Sequence, residues 1–371
     1  GKMQYLLQRI RTLAEQTRQN TQRSLEAMAY LVGSMAGLPE RKTVLYLSDG
    51  LEMRPAEALF HAHYDRFERA AEIYTFDNNL DPAPLLAQEY DMSGQFEQLA
   101  AYAQANQVIL SAIDASGQEA RFAGSADARL RDSDSASVAG FRPVWSNRLD
   151  ILHTQNRQST LRLLAEETGG QVLVNNRNYA DFFRTFDETL GNYYSLGFVA
   201  SPDSEGQRHD VVVKVDRPGV TVRYQRTLVD KSWEQALSEQ TLSRVVLGAG
   251  RNELVFNALP GDITTQDGKK VLPIHIFVPV EGLSLIPDGD EYVASLALSV
   301  VVKKPSGDTN PPQVFVMGLR LPRADVDAKR VKTGEAAVRL VVDPSRQEIG
   351  IGLRDQGNGA TATAAFEVDA S

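Results

Sequence analysis

The residues of this chain best placed to do chemistry are carboxylates that close apolar runs. Lys42-Thr-Val-Leu-Tyr-Leu-Ser-Asp-Gly50 is one such run and ends on Asp49. Gln107-Val-Ile-Leu-Ser-Ala-Ile113 is a second, and Asp114 follows it. A short apolar run bounded by turn residues reads as a strand buried on both faces of a parallel sheet. In such sheets ligands bind beyond the carboxyl ends of the strands. Asp49 is therefore either a functional carboxylate or an Asp that bonds the turn backbone before Gly50. Asp114 has the same two readings, and capping of the turn after it is preferred. Two carboxylates at one sheet edge can do acid–base or phosphoryl chemistry, which would make the chain a hydrolase using Asp49 and Asp114.

The motifs that usually accompany such chemistry do not occur. There is no Gly-x-Ser-x-Gly, no His-Glu-x-x-His, no phosphate-binding Gly-Lys-Ser/Thr and no Gly-x-Gly-x-x-Gly. The histidines are His61, His63, His153, His209 and His275, and none follows a strand end beside a nucleophile. His61 and His63 are two apart, so on a helix they point away from each other. Arg131-Asp-Ser-Asp-Ser-Ala-Ser137 is rich in oxygen donors but lacks Asp-x-Ser-x-Ser spacing, and the Gly and Glu of a calcium loop are absent. It reads as surface loop. On these grounds the chain is expected not to be an enzyme.

Composition narrows the classes further. With 371 residues the chain is long enough for two or three domains, and 42 % hydrophobic residues suffice for ordinary cores. A net charge of −9 and a pI near 5.2 give no basic surface for nucleic acid. No apolar run reaches the roughly 18 residues of a membrane span. Cysteine is absent, which excludes disulfides and thiolate metal sites. The start at Gly1-Lys2-Met3 has no signal-peptide architecture and opens directly into helical sequence, as a trimmed chain would.

The elements that must hold the carboxylates follow from periodicity. Residues 2–13 carry a weak helical pattern, and a polar turn spans Glu15 to Arg23. A second helix then carries Leu25, Met28, Ala29, Val32, Met35 and Ala36 on one face. After the first strand, helices are expected from Ala56 to about Ala71 and from Phe96 to Gln104. Residues 115–150 read as a polar insertion, Ser159–Thr168 as a helix, Gln171–Val174 as a third buried strand, and 179–191 as a helix. Alternating strands and helices argue a parallel sheet with helices on both faces.

The pattern then changes. Tyr193–Ala200, His209–Asp216 and Val220–Arg226 read as antiparallel strands, and Ser232–Val246 as an amphipathic connecting helix. Seven short strands follow, at 253–257, 271–279, 292–303, 314–321, 335–342, 348–354 and 361–368. They suggest a β-sandwich of immunoglobulin-like type. The expected organisation is an α/β domain over 1–191, an antiparallel β extension over 192–230, a connecting helix over 231–250 and an all-β sandwich over 251–371.

Several of these stretches resemble a known family. Arg41-Lys-Thr-Val-Leu-Tyr-Leu-Ser-Asp-Gly50 resembles the fourth strand of a von Willebrand factor type A domain. Leu161-Arg-Leu-Leu-Ala-Glu-Glu-Thr-Gly-Gly170 resembles the helix before its last core strand. Tyr193-Tyr-Ser-Leu-Gly-Phe198 and His209-Asp-Val-Val-Val-Lys-Val-Asp216 resemble the tail found in VWFA-related proteins of the acidobacterial type. The resemblance covers about residues 20–230. It implies a doubly wound, mostly parallel sheet whose upper edge often binds a divalent cation, the metal-ion-dependent adhesion site. That site takes an Asp-x-Ser-x-Ser from the first strand, a Thr from a later loop and an Asp from the fourth strand. Asp49 matches the Asp, and Thr21 is a weak candidate for the Thr. No Asp in the chain carries Ser at both +2 and +4. Either the N-terminal strands have been cut away or the site is degenerate. Truncation is preferred, because an unfinished sheet would leave strand 43–47 with an uncovered edge. No cofactor is expected in this chain, although Mg²⁺ would be possible in a complete protein.

By this resemblance the chain is expected to be a non-enzymatic protein-binding or adhesion module with a protein ligand, placed outside the cell or in the periplasm. The alternative is a structural scaffold of a cell-envelope or secretion assembly.

Overall fold

The computed structural model of the chain describes residues 2–38, 41–68, 83–116, 144–176, 178–192, 194, 207–219, 222, 224, 227–229, 231–250 and 252–371. The run Ile73–Phe76, residues 117–143 of the expected insertion and the strand expected over 195–200 lie outside the described residues. The fold is mixed α/β, with one three-stranded parallel sheet and further antiparallel sheets. It divides into two compact units. Unit 1 holds Gly1–Tyr30, Thr43–Ala200 and Arg208–Leu228; unit 2 holds Leu31–Lys42, Ser201–Gln207 and Val229–Ser371.

Helix α1 runs unbroken over Lys2–Met35, where a helix, a polar turn and a second helix were expected. The stretch Glu15–Arg23 lacks Gly and Pro, so nothing in it stops a helix. Its polar side chains also bond at helical spacing. Arg18 Nε donates to Glu15 Oε2 at 2.9 Å, and Gln22 Nε2 donates to Glu26 Oε1 at 3.0 Å. Thr21 therefore lies inside a helix rather than in a turn.

In unit 1 the strands β1 (Lys42–Ser48), β2 (Val108–Asp114) and β3 (Val172–Leu173) lie side by side in sequence order. Helix α2 spans Glu57–His63 and passes into a π-type turn at Tyr64–Glu68. A short α3 (Ala83–Leu86), α4 (Ser93–Ala105), α5 (Val144–Thr168) and α6 (Tyr179–Gly191) are the further α-helices of unit 1 among the described residues. One cluster packs Ala14, Ala56, Phe60, Ala83, Leu86 and Ala87. Another packs Ile113, Leu173 and Phe182 against Leu45 and Phe186. Helix α5 begins fifteen residues before the expected Ser159, for reasons that lie in its polar side chains. Of the expected β extension, β4 covers Arg208–Asp210, residues 211–216 are not strand, most of 220–226 lies outside the described residues, and β5 covers Thr227–Val229.

Unit 2 is built on helix α7 (Trp233–Leu247) and strands β6 to β14. Ser232 caps α7 by accepting the N–H of Gln235 at 3.1 Å, and Gly248 ends it in the left-handed conformation. Strands β6 (Asn257–Pro260), β7 (Thr264–Gln266), β8 (Lys269–Pro279) and β12 (Thr333–Val342) form one antiparallel sheet. Strands β9 (Ile286–Asp288), β10 (Glu291–Lys303), β11 (Gln313–Pro322), β13 (Arg346–Asp355) and β14 (Thr361–Asp369) form the other. A five-residue helix, α8 (Arg323–Asp327), joins β11 to β12.

The two sheets share one core. Leu272, Ile274, Ile276 and Val278 enter it from β8, and Leu296, Leu298 and Val300 enter from β10. Each such side chain contributes about 1.5–3 kcal/mol when fully buried. The opposite face of the β10–β13–β14 sheet is also covered. Ala297, Ser299 and Val301 are buried there, Gly350 and Gly352 pair with Val301 and Ser299, and Leu237, Thr241 and Val245 of α7 lie on the two glycines. The helix expected as a connector is thus packed into unit 2.

Candidate functional site

The carboxyl ends of β1, β2 and β3 bring Asp49, Asp114 and Asn175 to one edge of unit 1. The strands are tied there by the N–H of Ala115, which donates to the carbonyl of Ser48 at 2.9 Å. The turn after β1 is held by Ser48, whose Oγ accepts the N–H of Gly50 at 3.1 Å. That leaves the Asp49 side chain for another role.

Helix α5 supplies the partners. Arg157 forms an ion pair with Asp49, and its Nε and Nη2 donate to the carbonyl of Gly50 at 3.2 and 3.1 Å. One turn on, Thr160 Oγ1 accepts the N–H of Leu51 at 3.3 Å and donates to its carbonyl at 3.0 Å. Asn156 reads the backbone of Arg54 from both sides: Oδ1 accepts its N–H at 2.9 Å and Nδ2 donates to its carbonyl at 2.7 Å. His153 Nε2 lies 3.2 Å from Glu52 Oε1, and Glu52 Oε2 accepts the N–H of Ala56 at 2.7 Å. Residues 153, 156, 157 and 160 thus lace the 49–54 loop to one helix face.

Asp114 is engaged separately. Oδ1 accepts from the N–H and the hydroxyl of Ser116 at 3.0 and 2.5 Å, which is the turn cap expected from sequence. Oδ2 accepts from Gln158 Nε2 at 2.6 Å, and the Gln158 amide exchanges two bonds with Asn175 at 2.9 and 2.8 Å. Asp114 and Gln158 are both buried. The two strand-end carboxylates therefore end adjacent strands with different partners, and neither bonds the other.

Electrostatics single out Glu52. Burial alone would raise its pKa. The hydrogen bonds from His153 and from the N–H of Ala56, with the charges of His153 and Arg157, outweigh burial and hold the carboxyl below its usual range.

The residues expected to hold a metal do not fit one. Thr21 is 2 % exposed within α1, and among the described residues no hydrogen bond joins it to Asp49. Asp49 already faces the Arg157 guanidinium, which a divalent cation would have to displace. Among the described residues no three His, Asp or Glu side chains stand close enough to hold an ion, and Mg²⁺ wants several fixed oxygens in octahedral geometry.

Sequence reasoning missed Arg157, Asn156, Gln158, His153 and Glu52. The signal was a polar stripe at helical spacing: His153, Asn156, Arg157 and Thr160 follow i, i+3, i+4, i+7.

No family model matches the chain, and no curated protein matches it. Some solved structures do. A β-glucuronidase from Bacteroides uniformis is 13 % identical over 31 % of this chain and 13 % of its own, with a TM-score of 0.21. A β-glucosidase from Kluyveromyces marxianus is 11 % identical over 33 % and 15 %, with a TM-score of 0.17. β-Glucosidase 3B from Thermotoga neapolitana is 13 % identical over 34 % and 18 %, with a TM-score of 0.18. The chain spans less than a fifth of the length of each of these enzymes. The expectation that it is not an enzyme is corrected on this finding, since glycosidases are among the structures it resembles. TM-scores at this level assign no activity to it. Among the described residues no helix is long and apolar enough to cross a membrane.

Proposed function

We propose that this chain is a protein-binding module of the adhesion type. In this reading unit 1 is a von Willebrand factor A-like domain, unit 2 carries an immunoglobulin-like sandwich, and the protein works outside the cell or in the periplasm. One observation supports the reading above the others. The strand ends of the parallel sheet converge on one edge, and the Asp49 side chain there is 53 % exposed. A ligand at that edge meets a preformed surface, because α5 fixes the 49–54 loop by six side-chain bonds to its backbone. Recognition at this edge is direct, without a bridging metal, since Asp49 is neutralised by Arg157. The sequence resemblance adds to the reading through the order of its motifs.

The test is retention of a partner on the immobilised chain from envelope and periplasmic extracts. The reading requires one saturable partner whose retention falls at least tenfold in an Asp49→Lys variant and persists in EDTA. Retention equal in the wild type and in Asp49→Lys would rule out the sheet edge as the binding surface.

A further inference from the structure

The loop after β1 and the helices α1, α2 and α5 enclose a cavity of about 380 Å³ within unit 1. Its size falls at the lower end of ligand sites, which run from about 300 to 1,000 Å³. Its walls are of two kinds. Leu13, Leu59 and Leu149 are apolar, while Glu52, Asp150 and His153 are charged or chargeable. Leu13 and Leu59 are 45 % and 40 % exposed, so two large apolar side chains face solvent around the same opening.

The charged wall is only partly neutralised from within, by His153 on Glu52. Asp150 is exposed, and among the described residues it has no hydrogen bond or ion pair. Each Glu52 oxygen has one partner, His153 or the Ala56 N–H. A carboxylate oxygen accepts about two hydrogen bonds, so each keeps a position for a further donor. Arg157 also acts on Glu52, but its charge is matched by Asp49. The cavity wall thus presents the carboxylates of Glu52 and Asp150, and its one chargeable nitrogen, on His153, is already bonded to Glu52 Oε1.

We propose that this cavity receives a lysine or arginine side chain of a partner polypeptide. The methylene stem lies along Leu13, Leu59 and Leu149, and the cationic head reaches Glu52 and Asp150. The proposal rests on the reading of unit 1 as a protein-binding module. Long basic side chains match both walls, since they bury an apolar stem while the charged tip keeps polar partners. An acidic side chain would meet two like charges. An aliphatic one would cover Glu52 and Asp150 without replacing their water.

The experiment titrates the full chain, by calorimetry at low salt, with Ac-Gly-Gly-Lys-Gly-Gly-amide, with its arginine counterpart and with a norleucine control. n-Butylammonium serves as a free cation. Saturable binding of the lysine or arginine peptide, at least about fivefold tighter than norleucine, is expected. Glu52→Gln and Asp150→Asn should each weaken it about fivefold or more, and raising salt to about 0.5 M should weaken it too. Asp150 is exposed, so Asp150→Asn carries the test even where Glu52→Gln fails to fold. Equal binding of norleucine, no saturation by about 10 mM peptide, or unchanged affinity in Asp150→Asn overturns the proposal. Tighter binding of n-butylammonium than of the lysine peptide overturns the polypeptide source. The module reading fails by a different sign, namely partner retention that Asp49→Lys does not alter.

Discussion

Arg157 clamps the end of β1 by pairing with Asp49 through its guanidinium while donating twice to the carbonyl of Gly50. The side chain that would complete a metal site is thus the partner of a fixed cation. Calorimetry with Mg²⁺ or Mn²⁺ should show no micromolar binding to this chain. Micromolar binding that Asp49→Ala abolishes would reverse that.

The same clamp predicts unequal mutational costs. The Asp49–Arg157 pair is partly solvated, with side chains 53 % and 25 % exposed, so Asp49→Ala should cost under about 1 kcal/mol. Arg157→Ala also strips the Gly50 carbonyl of two donors and should cost about 1–3 kcal/mol. Amide hydrogen exchange in β1 and β2 reads both changes locally. Equal costs would show that the Gly50 bonds contribute nothing.

Gly50 has no room for a side chain. Its φ is +84°, and a Cβ there would collide with the backbone oxygen of Arg157. Gly50→Ala therefore combines a left-handed backbone penalty of about 1 kcal/mol or more with a backbone clash. The expected result is loss of hydrogen-exchange protection across the 49–54 loop, larger than that caused by Asp49→Ala.

Much of the fold was legible because burial and period agreed. Strands β8 and β12 alternate, with Leu272, Ile274 and Ile276 inward on β8, while β10, β13 and β14 read as near-continuous apolar runs covered on both faces, and all five lie within two residues of the expected ends. Helix α5 was half-hidden for a physical reason. It presents His153, Asn156, Arg157 and Gln158 to the β1 and β2 strand ends and the 49–54 loop, so an apolar-stripe criterion began the helix only at Ser159. The candidate site was legible only in its carboxylates. Asp49 and Asp114 announce themselves by ending apolar runs, whereas Arg157 and Gln158 are 108 and 44 residues away in sequence and no local pattern pairs them. Thr21 was misplaced because a polar segment without Gly or Pro can be helix as well as turn.

Glu52 should tie the stability of unit 1 to pH on the acid side. Its folded pKa lies below the ordinary carboxyl value of 4.5, so the folded state binds fewer protons than the unfolded state as the group titrates. The stabilisation is complete above about 4.5 and is lost as pH falls through the depressed native value. Urea unfolding of Glu52→Gln, read by exchange in α5, should show a flatter acid limb than the wild type. An identical pH profile in both would remove Glu52 from the account.

In unit 2 the helix-on-sheet layer depends on two missing side chains. A Cβ at Gly350 would strike Val245, and one at Gly352 would strike the Thr241 hydroxyl. Gly352→Val should lift α7 from the sheet and cost about 1–3 kcal/mol through overpacking. Fluorescence of Trp233, at the start of α7, should shift before the sheets unfold. Ser299, beneath the same helix, has a buried hydroxyl without a partner among the described residues. Ser299→Ala should therefore be neutral or slightly stabilising.

Lys42 should act in the opposite sense to Glu52, on the alkaline side of unit 2. It is 6 % exposed, and its Nζ donates to the carbonyl of Leu38 at 2.9 Å. Burial, reinforced by the charge of Lys231 and opposed by Glu239, pushes the ammonium down to about 8 from 10.5. Between those values the unfolded chain holds a proton that the folded chain has released. Stability therefore rises with pH across about 8 to 10.5, and at neutral pH the folded state carries the cost of a buried charge. Replacing the charge by an apolar chain of similar length removes that cost, at the loss of one hydrogen bond to Leu38. Lys42→Met should raise the stability of unit 2 at pH 7 by about 1–2 kcal/mol and abolish the rise between pH 8 and 10.5. Denaturant unfolding followed by Trp233 fluorescence at pH 7, 9 and 10.5 measures both effects. A variant that is less stable than the wild type at pH 7, yet keeps the alkaline rise, would place the titrating group elsewhere.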